Sequence, residues 1–414
     1  MRHDRHILFI STMLAALASV AATAQTAPDA RLDAKQRLGK AIFADVNLSE
    51  PRGMSCATCH DPAKAFQGNA GSDNPALARG APAGSLGDRN VPTIMYSKFS
   101  PRFAFRKKKD PETGKMELVP VGGQFWDGRA LDLEEQAGGP LLNPREMANP
   151  SKRAVVDKIR DGSYAALARE VYGAKIFDED ADKAYAKLTA AVAAFERTEA
   201  FAPFSSKFDD VLRGKAQFSA QEAKGFALFK DPKKGNCLAC HDGKEKSRNP
   251  RDWLFTDFTY DTLGAPRNAT IPDNRDGARF DPGLCKRAGL EKFAPKGFDA
   301  NSVCGAFKVP TLRNIAVTAP YMHNGAFGTL RDAVAFYFTR DTNPEKWYPR
   351  DAKGAAQKFD DLPEAWRGNA NVKEVPYDRK PGETPRADDS EIDAIVAFLQ
   401  TLTDRQFVAT AAGK

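Results

Sequence analysis

The sequence predicts a mainly α-helical fold in two units joined by long loops, and three observations carry that expectation. Two similar segments, Leu38-Gly39-Lys40-Ala41-Ile42-Phe43 and Lys224-Gly225-Phe226-Ala227-Leu228-Phe229, each lead into a Cys-x-x-Cys-His motif, which points to an internal duplication. Elsewhere apolar residues recur three and four positions apart, the helical period. Alternating runs that would signal strands are sparse. The composition, 42% hydrophobic and 28% charged over 414 residues, provides for a core of more than one domain and excludes disorder, collagen and a membrane bundle.

Taken in order, the chain starts with basic residues (Arg2, Arg5), continues through an apolar stretch over 7–24 and reaches Ala22-Thr23-Ala24. Residues 1–24 therefore read as a cleaved signal peptide, and the expected location is the periplasm. The segment around Leu38 to Phe43 reads as an amphipathic helix. Gly/Pro-rich loops follow over 68–92 and again over 262–310, long enough to suggest binding or active-site structure. The basic run Arg106-Lys107-Lys108-Lys109 reads as a solvated turn. Residues 154–167 and 182–195 read as helices. Ala202-Pro203-Phe204-Ser205-Ser206 marks a boundary, giving a first unit over 25–205 and a second over 206–414. Ser219, three residues before Glu222, supplies a capping box for the helix ahead of the second motif. A last helix over 390–402 carries Ile392, Ile395, Val396, Leu399 and Leu402 on one face.

The cysteines and histidines say what the two units hold. Four of the six cysteines form Cys56-Ala57-Thr58-Cys59-His60 and Cys237-Leu238-Ala239-Cys240-His241. In such a motif the two thiols add to the vinyl groups of a haem while the adjacent imidazole ligates the iron. A bare CxxC would also suit a redox disulfide or half a zinc site. Two copies followed by His, behind an export signal, favour two covalently attached c-type haems, and zinc would lack a full tetrahedral ligand set. Haem 1 is assigned to Cys56, Cys59 and His60, and haem 2 to Cys237, Cys240 and His241. Each unit is thus a c-type cytochrome domain. Cys285 and Cys304 remain, and in an oxidising compartment a disulfide is expected, worth about 3 kcal/mol for a loop of about 20 residues in the loop-entropy picture.

Further blocks carry a family resemblance: Gly122-Gly123-Gln124-Phe125-Trp126-Asp127-Gly128-Arg129, Pro140-Leu141-Leu142-Asn143-Pro144 with Glu146-Met147, Phe307-Lys308-Val309-Pro310-Thr311-Leu312-Arg313-Asn314, and Pro320-Tyr321-Met322-His323-Asn324-Gly325. Together with the two motifs they resemble the bacterial di-haem cytochrome c peroxidases over nearly the whole chain. Within that family the chain is most similar to MauG-type enzymes, which use H2O2 to generate a high-valent di-haem state that oxidises another protein.

The sixth ligands decide this placement. Conventional members have a histidine in the loops after the first motif that caps haem 1; here residues 61–240 contain no histidine. The resemblance therefore implies an open distal side at haem 1. The conventional haem 2 ligand is a Met some fourteen residues beyond the His-Asn-Gly block, and that position is Tyr337. A phenolate is a hard anionic donor that stabilises higher oxidation states, whereas a thioether favours the ferrous state. The only Met after the second motif is Met322. The spare histidine, His323, reads as a structural residue of its loop.

By the same resemblance Glu146 and Gln136 are the distal acid and amide of haem 1, and Pro140 leaves space over the iron. Trp126 lies between the haems, and Asn90 is a side-chain ligand of one Ca2+. Family members acting on methylamine dehydrogenase have a Trp two residues before the second motif; here Gly235 stands there. The implied activity is that of a peroxidase acting on H2O2, with a periplasmic protein substrate or an electron donor, a cytochrome or copper protein, as partner. The alternative is a conventional cytochrome c peroxidase that reduces H2O2 to water. A plain electron carrier fits poorly with an open haem 1. Neither nucleic acid nor a membrane span of the mature chain is expected.

Overall fold

The computed structural model describes residues 32–409 apart from 110–113, 276 and 278; the signal-peptide segment lies outside the described residues. α1 (Ala34–Ala44) starts at Asp33, whose carboxylate accepts the Gln36 N–H while the Gln36 side chain accepts the Asp33 N–H. That reciprocal cap satisfies two orphan donors and sets the helix start. The first motif is a single helical turn, α2 (Cys56–Cys59). β1 (Ala104–Lys109) and β2 (Met116–Val121) pair antiparallel, followed by α3 (Leu133–Leu142), α4 (Lys152–Arg160), α5 (Ala165–Tyr172) and α6 (Ala181–Glu196). α7 (Lys207–Leu212) and α8 (Ala220–Lys230) lead to the second motif, and β3 (Tyr260–Asp261) pairs with β4 (Phe307–Lys308). α9 (Leu330–Thr339) and α10 (Asp389–Gln400) complete the fold.

Two expectations are corrected. Residues 154–167 are not one helix: α4 stops at Asp161, the chain turns through Gly162, and α5 begins at Ala165. Asp, Gly and Ser in succession are poor helix formers, and the apolar period carried by Ile159 and Ala165 runs on across the break. The basic run 106–109 is not a turn but the end of β1, paired with Met116–Val119. The Ser219–Glu222 capping box forms as the spacing predicts. Among the described residues no helix is long and apolar enough to cross a membrane.

The apolar interior falls into two main clusters. One gathers Leu38, Ile42, Val156, Leu188 and Val192; the other gathers Phe208, Phe229, Trp253, Ile395 and Phe398. The changeover lies between Phe204 and Phe208, although Val317 and Phe407 return to the first cluster. Two fully buried polar clusters tie the pieces together. Asp404 accepts from the Tyr96 hydroxyl at 2.8 Å and from the Asn314 amide at 2.9 Å, and Arg313 pairs with Asp209 at 2.9 Å.

The duplication is visible in the packing. α1 crosses α6 and α8 crosses α10 in the same way. A Cβ at Gly39 would sit 1.8 Å from the Ala191 carbonyl oxygen and 3.0 Å from Phe195 Cβ. A Cβ at Gly225 would sit 1.9 Å from the Ala394 carbonyl oxygen and 2.9 Å from Phe398 Cβ. Because the obstacle is backbone, neither crossing can relax by a rotamer change. Gly39→Ala and Gly225→Ala are each expected to destabilise the holoprotein by about 3 kcal/mol, the upper part of the usual overpacking range. Gly328→Ala, where an added Cβ meets nothing within 4 Å, should leave the melting temperature nearly unchanged. Thermal unfolding of the three variants checks this, and equal melting temperatures would refute the close approach.

Candidate functional site: a cavity shared by two Cys-His motifs

In each motif a tight turn puts both thiols and the following imidazole on one side. The His60 N–H donates to the Cys56 carbonyl at 2.8 Å and the His241 N–H to the Cys237 carbonyl at 2.8 Å. Both rings are oriented alike: His60 Nδ1 donates to the Phe66 carbonyl and His241 Nδ1 to the Phe255 carbonyl, each at 3.0 Å. A carbonyl can only accept, so Nδ1 carries the proton and Nε2 keeps its lone pair, the arrangement of a metal-ligating imidazole. Burial lowers both imidazole pKa values and keeps the rings neutral. Cys56, Cys59, Cys237 and Cys240 take no part in a disulfide, whereas Cys285 and Cys304 form one with Cα atoms 4.7 Å apart.

Both motifs open onto one continuous, largely apolar cavity. Gln136 and Glu196 line it, and Gln136 Oε1 and Glu196 Oε2 are buried oxygens with no hydrogen-bond partner. Arg79, Arg129 and Lys308 also line it. An apolar slot with paired thiols, free imidazole nitrogens, orphan polar atoms and cations suited to propionates fits two c-type haems.

A second duplicated element shapes the cavity opposite the motifs. Residues 124–130 and 321–327 form the same turn. Phe125 and Met322 have φ of 64° and 71°, Gly128 and Gly325 have φ of 64° and 63°, and bridges Gln124↔Ala130 and Tyr321↔Phe327 close each turn. Each runs into a capped helix, α3 from Asp132 and α9 from Thr329. In this register Trp126 matches His323 and Pro140 matches Tyr337, and all four line the cavity. Equivalent helices thus present a side chain with no donor atom in the first unit and a phenol in the second.

The remaining candidates have definite surroundings. Glu146 accepts from the Asn143 amide at 2.7 Å; burial raises its pKa, with Arg129 pulling the other way. Trp126 donates from Nε1 to the Asn90 carbonyl at 2.8 Å, and its own carbonyl accepts the Lys308 N–H at 2.8 Å. It is thereby pinned between segments of both halves. The Asn90 side-chain amide donates to the carbonyls of Pro320 (2.7 Å) and Met322 (3.1 Å). His323 stacks on Phe307 with ring centroids 3.6 Å apart, its Nε2 lying 3.4 Å from Asp361, so the ring is held by two other segments of the second half. At Gly235 an added Cβ would come within 2.6 Å of the Leu228 carbonyl oxygen, which leaves no room for a side chain there.

Two lining residues received no role from sequence reasoning. Burial lowers the Lys308 pKa to about 8, and its ammonium donates to the Gly123 carbonyl at 2.6 Å. Glu196 ends α6 on its apolar face, and a carboxyl at an apolar-period position was the available signal.

With this geometry in hand, comparisons with known proteins are decisive. The family model for di-haem cytochrome c peroxidase matches residues 33–217. The methylamine utilization protein MauG of Paracoccus denitrificans (strain Pd 1222) is 40% identical over 405 residues, 95% of each chain. The chain belongs to the di-haem cytochrome c peroxidase family. This peroxidase is accordingly a haem oxidoreductase acting on peroxide, from a family whose members carry two c-type haems. The cytochrome c peroxidase Ccp of Escherichia coli (strain K12) is 33% identical over 309 residues, 72% of the peroxidase and 52% of that protein. The crystal structure of the diheme peroxidase BthA from Burkholderia thailandensis E264 superposes with a TM-score of 0.82 at 41% identity, covering 90% of the peroxidase and 87% of that chain.

Proposed function

We propose that this peroxidase is a periplasmic enzyme of MauG type, exported by the 1–24 signal segment, that takes H2O2 at haem 1 and oxidises a protein substrate or electron-donor protein. The observation that carries this reading is the pairing of Pro140 with Tyr337 on equivalent helices facing one cavity. With no histidine in 61–240, the first site keeps an open face for peroxide, while the second gains a phenol whose pKa burial raises and whose oxygen would become an anionic donor only on binding a metal. The bound haems supply the iron site and the one-electron redox chemistry.

The chain's own groups do the rest. Cys56, Cys59 and His60 hold haem 1 in a cytochrome unit over 25–205, and Cys237, Cys240 and His241 hold haem 2 in one over 206–414. Tyr337, which lines the same cavity, is the residue that would offer haem 2 an oxygen ligand. Pro140, at the centre of α3, keeps its face free of donor atoms. Gln136, with its unpartnered side-chain oxygen, would hydrogen-bond a ligand held at haem 1, and Glu146 would move a proton between the two peroxide oxygens. Trp126, fixed through both its indole N–H and its carbonyl, lies where it can carry electrons between the two sites. Asn90 would offer its side-chain oxygen to one Ca2+; its amide nitrogen is given to the Pro320 and Met322 carbonyls, and one neutral oxygen is far from the carboxylate-rich set of a tight calcium site.

The test is ligation. The ferric holoprotein is expected to show one high-spin and one low-spin haem by electron paramagnetic resonance, and Tyr337→Phe to alter only the low-spin signal. Two low-spin haems at rest would favour the conventional peroxidase, and an unchanged spectrum in Tyr337→Phe would remove Tyr337 from the ligand set.

A further inference from the structure

The duplication offers an internal control for each cavity-lining position. α6 and α10 stand in equivalent places, with Ala191 matching Ala394 and Phe195 matching Phe398 at the two glycine crossings. In that register Val192 matches Ile395 and Glu196 matches Leu399, and these four residues are the ones both helices present to the cavity. The second unit closes its site with leucine. At the same place the first unit has a carboxyl that is 3% exposed, with Oε2 lacking any hydrogen-bond partner.

A buried, unpaired carboxyl is costly to ionise, and an apolar residue is plainly tolerated at this position. The charged and titratable groups around it leave it without a cation of its own. Arg197, the next residue, is bound in a bidentate pair to Glu134 of α3. Lys98 donates to the Arg197 carbonyl at 2.9 Å. From α2 the Cys56 side chain lies near it, and α3, packed on α6, carries the neutral Gln136. The buried side chains of α1 and α4 are apolar, Leu38, Ile42 and Phe43 in one and Val155, Val156 and Ile159 in the other, and Lys35 of α1 acts on Glu134. Burial pushes the carboxyl up to about 8, with Arg197 lowering and Glu134 raising it.

We propose that Glu196 is a redox-linked proton site of haem 1: when the haem loses an electron the carboxyl releases its proton to solvent, and when the electron returns it takes one up. One electron and one proton leave together, so the net charge in the low-dielectric cavity stays constant. The electron goes to peroxide during turnover or to an electrode in a titration. The physical drive is the Coulomb interaction of an added positive charge with a nearby buried acid, which favours the carboxylate. Leu399 cannot do this at haem 2. The inference rests on the reading that Cys56, Cys59 and His60 hold haem 1.

Spectroelectrochemical titration of the holoprotein as a function of pH tests it, reading the two haems separately. In the wild type the haem 1 equilibrium constant should change up to tenfold per pH unit around pH 8, about 59 mV for one electron and one proton, with the potential falling as pH rises. In Glu196→Gln and in Glu196→Leu that slope should vanish, while haem 2 behaves alike in all three proteins. A flat haem 1 potential in the wild type overturns the proposal, as does a slope around pH 8 that survives both Glu196 variants. Mass spectrometry of the same samples separates the two layers. Absence of haem at Cys56 and Cys59 would overturn the haem assignment, whereas two attached haems with a flat potential would overturn the role of Glu196 alone.

Discussion

Glu146→Gln is expected to slow the reaction of the ferric peroxidase with H2O2 by about 10²–10⁴-fold, the usual contribution of a positioned acid–base group. Peroxide arrives protonated, so a base must take the proton from one oxygen and return it to the other before the O–O bond separates. Glu146 is suited by its surroundings: it is half-buried in the cavity wall, held by the Asn143 amide at 2.7 Å, and its pKa is raised mainly by loss of solvent. A raised carboxyl is present as the base only at higher pH, so the wild-type rate should rise with pH through a pKa above the ordinary carboxylate range. Glutamine keeps the shape and the Asn143 contact but cannot shuttle a proton, so the variant should lose both the rate and this limb of the profile. Haem content should be unchanged, because attachment depends on the two CxxCH motifs. Stopped-flow spectra over a pH series measure both, and a variant that reacts at the wild-type rate would make Glu146 a structural residue.

Fully ferric enzyme given one equivalent of H2O2, with no reductant, is expected to lose the absorbance of both haems together. A conventional peroxidase would have to be half-reduced first. The expectation follows from the proposed contrast on equivalent helices, in which Pro140 would leave the first site open and Tyr337 would give the second a donor that favours oxidised iron. Coupling of the two changes should depend on Trp126, whose indole N–H is tied to Asn90 and whose carbonyl is tied to Lys308. Trp126→Phe keeps an aromatic ring while removing the Asn90 contact and the more easily oxidised indole. The spectral change should then be confined to the first haem, with oxidative damage mapping near Cys59 and Glu146 by peptide mass spectrometry. If activity instead requires prior reduction and a small cytochrome then turns the enzyme over rapidly, the conventional reading holds.

The sequence by itself carried the two motifs on which the haem assignment rests. Two thiols and an imidazole lie within five consecutive residues in each, so the Cys56–His60 and Cys237–His241 motifs are legible with no knowledge of the fold. Local rules also sufficed for the Ser219–Glu222 cap, because both partners lie within one helical turn. The break at Gly162 was local too, but the apolar period continued across it and outweighed three poor helix formers. The 106–109 strand could not be read in the same way. Its pairing partner lies across the 110–113 segment, and a run of four cations hides the alternation that marks a strand.

Only the tertiary structure decided what shares the cavity. The match of Pro140 to Tyr337 and of Glu196 to Leu399 joins residues some 200 positions apart, with unlike side chains and no spacing rule between them. What relates them is the pair of glycine crossings and the pair of left-handed turns, and these set which face of each helix points inward. Covalent and hydrogen-bonded local motifs are fixed by neighbours along the chain. The face a helix turns toward a ligand is fixed by what it packs against, and that information lies in contacts far apart in sequence.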